Sequence, residues 1–199
     1  VSISGDPDTL VVAGTLTLTD GVVNVNGVNA TLEAQGNLSI ASTFGGGNII
    51  LLISGAATRT VTLEAGALLP RLTVNAPNVT VNTSGAGAVT FNQPVNLQSV
   101  ALFTNGAVDF IFNPGVVFTQ SGGTFTGGSG LIDFNSNFTL SGGTFTASST
   151  TTSFSSDFSQ TGGVFAPNGG TVLFDGNIQT IDVATSLTFN NLTFNSNNF

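Results

Sequence analysis

Few side chains in this sequence can do chemistry, and their types narrow the options at once. Ten carboxylates and two guanidiniums, Arg59 and Arg71, are the only charged groups, and Lys, His, Cys, Met, Trp and Tyr do not occur. Without Cys or His there are no thiolate or imidazole metal ligands. Nucleophiles built on Cys–His or Ser–His pairs are excluded too, as are Schiff bases, Lys–Asn isopeptide bonds and disulfides. The closest carboxylate pair along the chain is Asp6 and Asp8. On an extended strand both face one side, whereas a glycosidase holds its two carboxyls about 5 to 9.5 Å apart across a cleft. Asp133, Asp157 and Asp175 offer the hard oxygen ligands that calcium takes, but no EF-hand loop or glycine-aspartate nonapeptide surrounds them. They read as solvated surface carboxylates. Arg59 and Arg71 read as partners for Glu64 or another carboxylate, an exposed pairing that contributes under about 1 kcal/mol. No catalytic residue, bound metal or cofactor is expected.

The charge balance points the same way. A net charge of −8 with two cations leaves nothing to neutralise phosphates, so nucleic acid is not expected as a partner. An anionic membrane surface is disfavoured for the same reason. The longest apolar run, Ile49 to Ile53, is far below the ~20 residues that span a bilayer, and no membrane insertion is expected. The chain starts at Val1, which reads as a mature or excised segment. Six Asn-x-Ser/Thr sequons, at Asn29, Asn37, Asn78, Asn82, Asn137 and Asn191, leave glycan attachment open in a chain this rich in Asn and Thr.

What positions these side chains is a repeat. Phe118-Thr-Gln-Ser-Gly-Gly-Thr-Phe125, Phe138-Thr-Leu-Ser-Gly-Gly-Thr-Phe145 and Phe158-Ser-Gln-Thr-Gly-Gly-Val-Phe165 each begin 20 residues after the last. Ile178 extends the first column, and Phe134, Phe154, Phe174 and Phe194 form a second with the same spacing. Within each unit, apolar residues alternate with polar ones, as in Ile132-Asp-Phe134, and Gly, Asn or Ser turns intervene. Residues 1–117 show similar short apolar-x-apolar units at irregular spacing, with bulges or loops expected around Thr43 to Asn48 and Ala65 to Arg71. The chain reads as one domain over 1–199, with irregular coils to 117 and regular ones from 118.

A strand-built period of this length suits one coil of a parallel β-solenoid. The alternative is an antiparallel β-sandwich, which does not call for in-phase rungs of matched side chains. Stacked coils place equivalent residues about 4.8 Å apart. Phe118, Phe138, Phe158 and Ile178 then form one inward column and Phe134, Phe154, Phe174 and Phe194 another. Asn137, Asp157 and Asn177 form a polar one. About ten coils are expected. Stacking also accounts for the missing charge, because a Lys column would set like charges about 5 Å apart, whereas Asn, Ser and Thr hydrogen-bond along the stack.

The run Gly169-Gly-Thr-Val-Leu-Phe-Asp-Gly-Asn-Ile-Gln-Thr-Ile181 resembles repeats of large bacterial secreted surface proteins, of the adhesin and filamentous-haemagglutinin-like kind. Leu187 to Phe194, Ser141 to Thr146 and Gly14 to Val25 share that resemblance. It implies a parallel β-solenoid on the outside of a cell. The function expected is structural: a subunit of a cell-surface filament that assembles with itself, head to tail, by strand pairing at open solenoid ends. The residues expected at those ends are Val1, Ile3, Leu192, Phe194 and Phe199. One alternative is a segment of a larger surface adhesin, with any host or surface glycan unidentified. A lesser one is an ice- or ligand-binding face carried by Thr124/Thr144, Thr126/Thr146 and the strand Thr15, Thr17, Thr19.

Overall fold

A computed structural model describes residues 2–3, 8–25 and 30–196, with no helix among them. The strands pair in parallel and wind into a β-solenoid of about nine turns, with coils averaging ~21 residues. At one strand spacing per turn, that makes a rod roughly 40 Å long.

Each regular coil contributes one strand to each of three faces. In one coil these are Phe118–Gln120, Thr124–Thr126 and Ile132–Phe134. The next coil repeats them 20 residues on as Phe138–Leu140, Thr144–Thr146 and Thr151–Phe154. Register is in phase, with Phe118 opposite Phe138, Phe125 opposite Phe145, and Phe134 opposite Phe154. Between residues 71 and 104 the corner between the first two faces is itself extended. Arg71–Ser84 and Val95–Thr104 therefore each run across both faces.

Period-2 alternation puts every second side chain inside, and in the regular coils the inside is mostly phenylalanine. Three ring stacks run along the axis, one per face. Phe118–Phe138–Phe158 stack at 5.4 and 5.1 Å, Phe125–Phe145–Phe165 at 4.6 and 5.6 Å, and Phe134–Phe154–Phe174 at 5.2 and 5.4 Å. The stacks meet edge to face along the axis, as for Phe138 with Phe145 at 5.0 Å and 75°. Both geometries suit the ring quadrupole.

The glycine pairs at the first corner are steric requirements. A Cβ on Gly142 would lie 2.3 Å from the Ser121 carbonyl oxygen, and Gly143 has φ +75. The backbones stack too closely there for a side chain, and the second glycine turns through the left-handed region.

Two sequence expectations are corrected. Ile178 does not extend the Phe118 column: it is 94% exposed, and Phe158 pairs instead with Ile181. The coil lengthens to 23 residues at this face, pushing Ile178 outward, while the third face keeps its period with Phe174 opposite Phe194. For the same reason Asn177 leaves the polar column, and Thr180 stands next to Asp157. Among the N-terminal coils, the expected loop at Thr43 to Asn48 is present as a turn around buried Phe44. The stretch from Ala65 to Arg71 is a tight turn followed by a strand, Leu68–Leu69, opposite Thr90–Phe91.

Candidate functional site

The features that can act on other molecules lie at the two ends of the stack and along its corners. At the C-terminal end, Ile181–Val183 and Asn191–Phe194 are the last strands of the first and third faces, exposed throughout. Their inner partners are Phe158–Gln160 and Thr171–Phe174. Ile181 is 39%, Leu192 42% and Phe194 54% exposed. Between them lies an open groove of about 580 Å³, lined by Phe174, Ile178, Gln179, Ile181 and Phe194 among others. Gln179 holds the groove's lip: its Nε2 donates to the Phe154 and Ser156 carbonyls at 3.1 and 2.6 Å, and its Oε1 accepts from Gly176 N at 3.2 Å. On the second face Phe189 continues the core without a strand, packing edge to face on Phe165 at 5.9 Å.

At the other end, Thr9–Val12 pairs on one side with Thr31–Ala34. Leu10 heads the inward column that continues through Leu32, Leu51 and Leu72, and it is 51% exposed. Ser2–Ile3 pairs with Asn24–Val25. Of the residues expected at the assembly ends, Leu192 and Phe194 stand on the exposed last strand. Ile3 lies in a described strand, its side chain outside the description, and Val1 and Phe199 lie outside the described residues altogether.

Asn137 and Asp157 share a column on exposed surface, tied through neighbours rather than to each other. Ser156 Oγ donates to Asn137 Oδ1 at 2.7 Å, and Thr180 N donates to Asp157 Oδ1 at 2.8 Å. The Asp157 contact recurs: Asn37 Oδ1 accepts from Thr60 N at 3.2 Å, and Asp109 Oδ1 from Leu131 N at 2.7 Å. In each case an Asx side chain just before or at the start of a strand accepts the matching N–H of the following coil. These side chains therefore pin one coil to the next.

The other candidates disperse. Asp6 lies outside the described residues and Asp8 is exposed. No group of three or more carboxylates able to hold a metal occurs among the described residues. Asp133 is half-buried, and desolvation pushes its carboxyl up, against a lowering hydrogen bond from Asn135 and with a further raising effect from Asp175. Glu64 Oε2 accepts from Ser42 N at 3.1 Å. Arg59 points into the stack, only 6% exposed, its Nη1 donating to the Ala57 carbonyl at 3.3 Å. Thr124/Thr144 and Thr126/Thr146 stack in register, but the next coil continues them with Val164 and Ala166.

Sequence reasoning missed the third ring column, Phe125, Phe145 and Phe165, although its 20-residue spacing was visible in the same segments. It also missed the inward turn of Arg59. No family model, curated protein or solved structure matches the chain.

Proposed function

We propose that this chain is a structural, extracellular β-solenoid whose copies join head to tail into a cell-surface filament. The carrying observation is that the inward columns stop on exposed apolar residues at both ends of the described stack: Leu10 at one, Ile181, Leu192 and Phe194 at the other. A parallel strand edge is self-complementary by translation, so one copy's first coil offers the next copy's last coil the same backbone pattern as any internal neighbour. Such a contact is heterologous and does not close, which yields a fibre. The resemblance of the repeats to secreted surface proteins supports the outside of a cell as its location. The same edges also accept a further coil of a longer surface adhesin, and that is the second reading.

Electron microscopy and light scattering on the purified chain separate the two. Filaments with a 4.8 Å axial repeat support self-assembly. Leu10→Asp and Phe194→Asp, at exposed end positions, are expected to abolish them while leaving the far-ultraviolet CD spectrum unchanged. Monodisperse monomers at all concentrations would refute the filament and leave the longer-chain reading.

A further inference from the structure

Asn-Gly pairs occur in the chain at Asn26, Asn105 and Asn168. In such a pair glycine leaves the backbone nitrogen after asparagine unshielded by a side chain. That nitrogen can attack the asparagine's own amide carbon, provided neither group is held. Asn26–Gly27 lies outside the described residues. The other two pairs stand at the same corner, between the second and third faces, three coils apart.

Asn105 is locked. It is fully buried, its Oδ1 accepts from Gly128 N at 2.8 Å, and its Nδ2 donates to the Val108 and Gly130 carbonyls at 2.9 and 3.1 Å. Gly106 N donates to Thr104 Oγ1 at 3.1 Å. The following coil packs on Gly106, so closely that a Cβ on Gly128 would lie 2.0 Å from the Gly106 carbonyl oxygen. Neither the nitrogen nor the amide carbon is free to move.

Asn168 differs at each point. It is half-buried, and its Nδ2 donates to the Gly127 carbonyl, two coils back, at 2.9 Å. Gly169 is exposed at φ +79, and a Cβ there would meet only Asn190 Nδ2, at 3.7 Å. No backbone packs over it, because the last coil carries no strand on the second face. No acceptor among the described residues holds the Gly169 N–H.

We propose that Asn168–Gly169 is a self-modification site, at which Asn168 deamidates in the folded protein while the stack protects Asn105. Gly169 N bonds to Asn168 Cγ, the Cγ–Nδ2 bond breaks, and Nδ2 leaves as ammonia with the proton from Gly169 N. Solvent water then opens the cyclic imide at either carbonyl, giving aspartate or isoaspartate at position 168. Either product is a carboxylate and has no proton to donate to the Gly127 carbonyl. The tie across two coils is lost, and a half-buried charge faces an acceptor. The modification therefore loosens the C-terminal coils, independently of filament formation.

Hydroxylamine cleaves a chain at a cyclic imide, so it reads this step directly, and fragment masses assign each cut to Asn26, Asn105 or Asn168. In urea, Asn105 and Asn168 are expected to be cut at comparable rates. In the folded protein, Asn168 is expected to be cut within about tenfold of its rate in urea, whereas Asn105, which reacts only when its coil opens, slows by at least about a hundredfold. Protein aged at mildly alkaline pH without hydroxylamine should show the deamidation mass change at Asn168 and not at Asn105. Asn168→Gln should remove the Asn168 fragment and keep that of Asn105 in urea. Asn168→Asp is expected to lower the melting temperature, as ageing does. If the folded protein is cut at both pairs equally, at Asn105 first, or at neither, the proposal is overturned. An unchanged melting temperature in Asn168→Asp would overturn the role of the amide as a tie between coils.

Discussion

Phe154 is the sharpest place to test the packing logic. It is fully buried, stacks on Phe134 at 5.2 Å and Phe174 at 5.4 Å, and meets Phe138 and Phe158 edge to face at 5.1 and 5.0 Å. Truncation to alanine removes the ring from between two coils that cannot close up, because their spacing is fixed by backbone hydrogen bonds. The loss therefore lies at the upper end of the ~3–5 kcal/mol typical of Phe→Ala, transfer and cavity costs together. Phe194 is the internal control, with the same residue type in the same column. It is 54% exposed and retains one stacking neighbour, Phe174 at 5.6 Å. With about half its burial and no enclosed cavity left behind, Phe194→Ala is expected to cost about 1–2 kcal/mol. Urea denaturation followed by far-ultraviolet CD measures both, since the chain has no Trp or Tyr to report by fluorescence. Because each coil contacts only its neighbours, hydrogen exchange in Phe154→Ala should accelerate first in the flanking coils. Equal losses for Phe154→Ala and Phe194→Ala would refute the claim that enclosure between coils sets the energy.

Two other perturbations isolate the corner and the charges. Gly142→Ala puts a methyl 2.3 Å from the Ser121 carbonyl and is expected to cost at least about 2 kcal/mol, as overpacking does. Gly115→Ala, at φ +83 but with nothing within 4 Å, should cost only the ~1 kcal/mol of left-handed backbone. Thermal melts that rank them the other way would show that conformation, not close approach, fixes these glycines. Asp133 has its folded pKa raised, first by desolvation, so its penalty is present above the folded pKa and vanishes below the unfolded one. Asp133→Asn should therefore raise the melting temperature at neutral pH, and the gain should fade as pH falls through the carboxylate range. Glu33, lowered by hydrogen bonds from Gln35 and Ser54, carries the opposite sign, and Glu33→Gln should lose stability only at neutral pH. A gain for Asp133→Asn that persists into acid would contradict the desolvation cause.

How far the fold could be read from the sequence depended on whether a coil kept its length. From Phe118 to Phe174 the period holds at 20 on all three faces, and residue identity alone assigned the two columns led by Phe118 and Phe134. At Ile178 the same arithmetic failed, because a period is a property of the sequence while register is a property of hydrogen bonding. Three extra residues at one corner are invisible to a column that resumes its phase on the next face, where Phe194 still meets Phe174. The Arg59 corner failed to register for a related reason. Its apolar-x-apolar unit, Val61-Thr-Leu63, looks like every other, and only pairing with Leu38-Ser-Ile40 reveals the wider turn before it. Insertions in a solenoid must be absorbed at corners, because the faces are locked by their ladders. Arg59, whose Nε and Nη2 are buried without a partner, stands at one such corner, whereas Gln179, at the break beside Ile178, is held by three backbone groups.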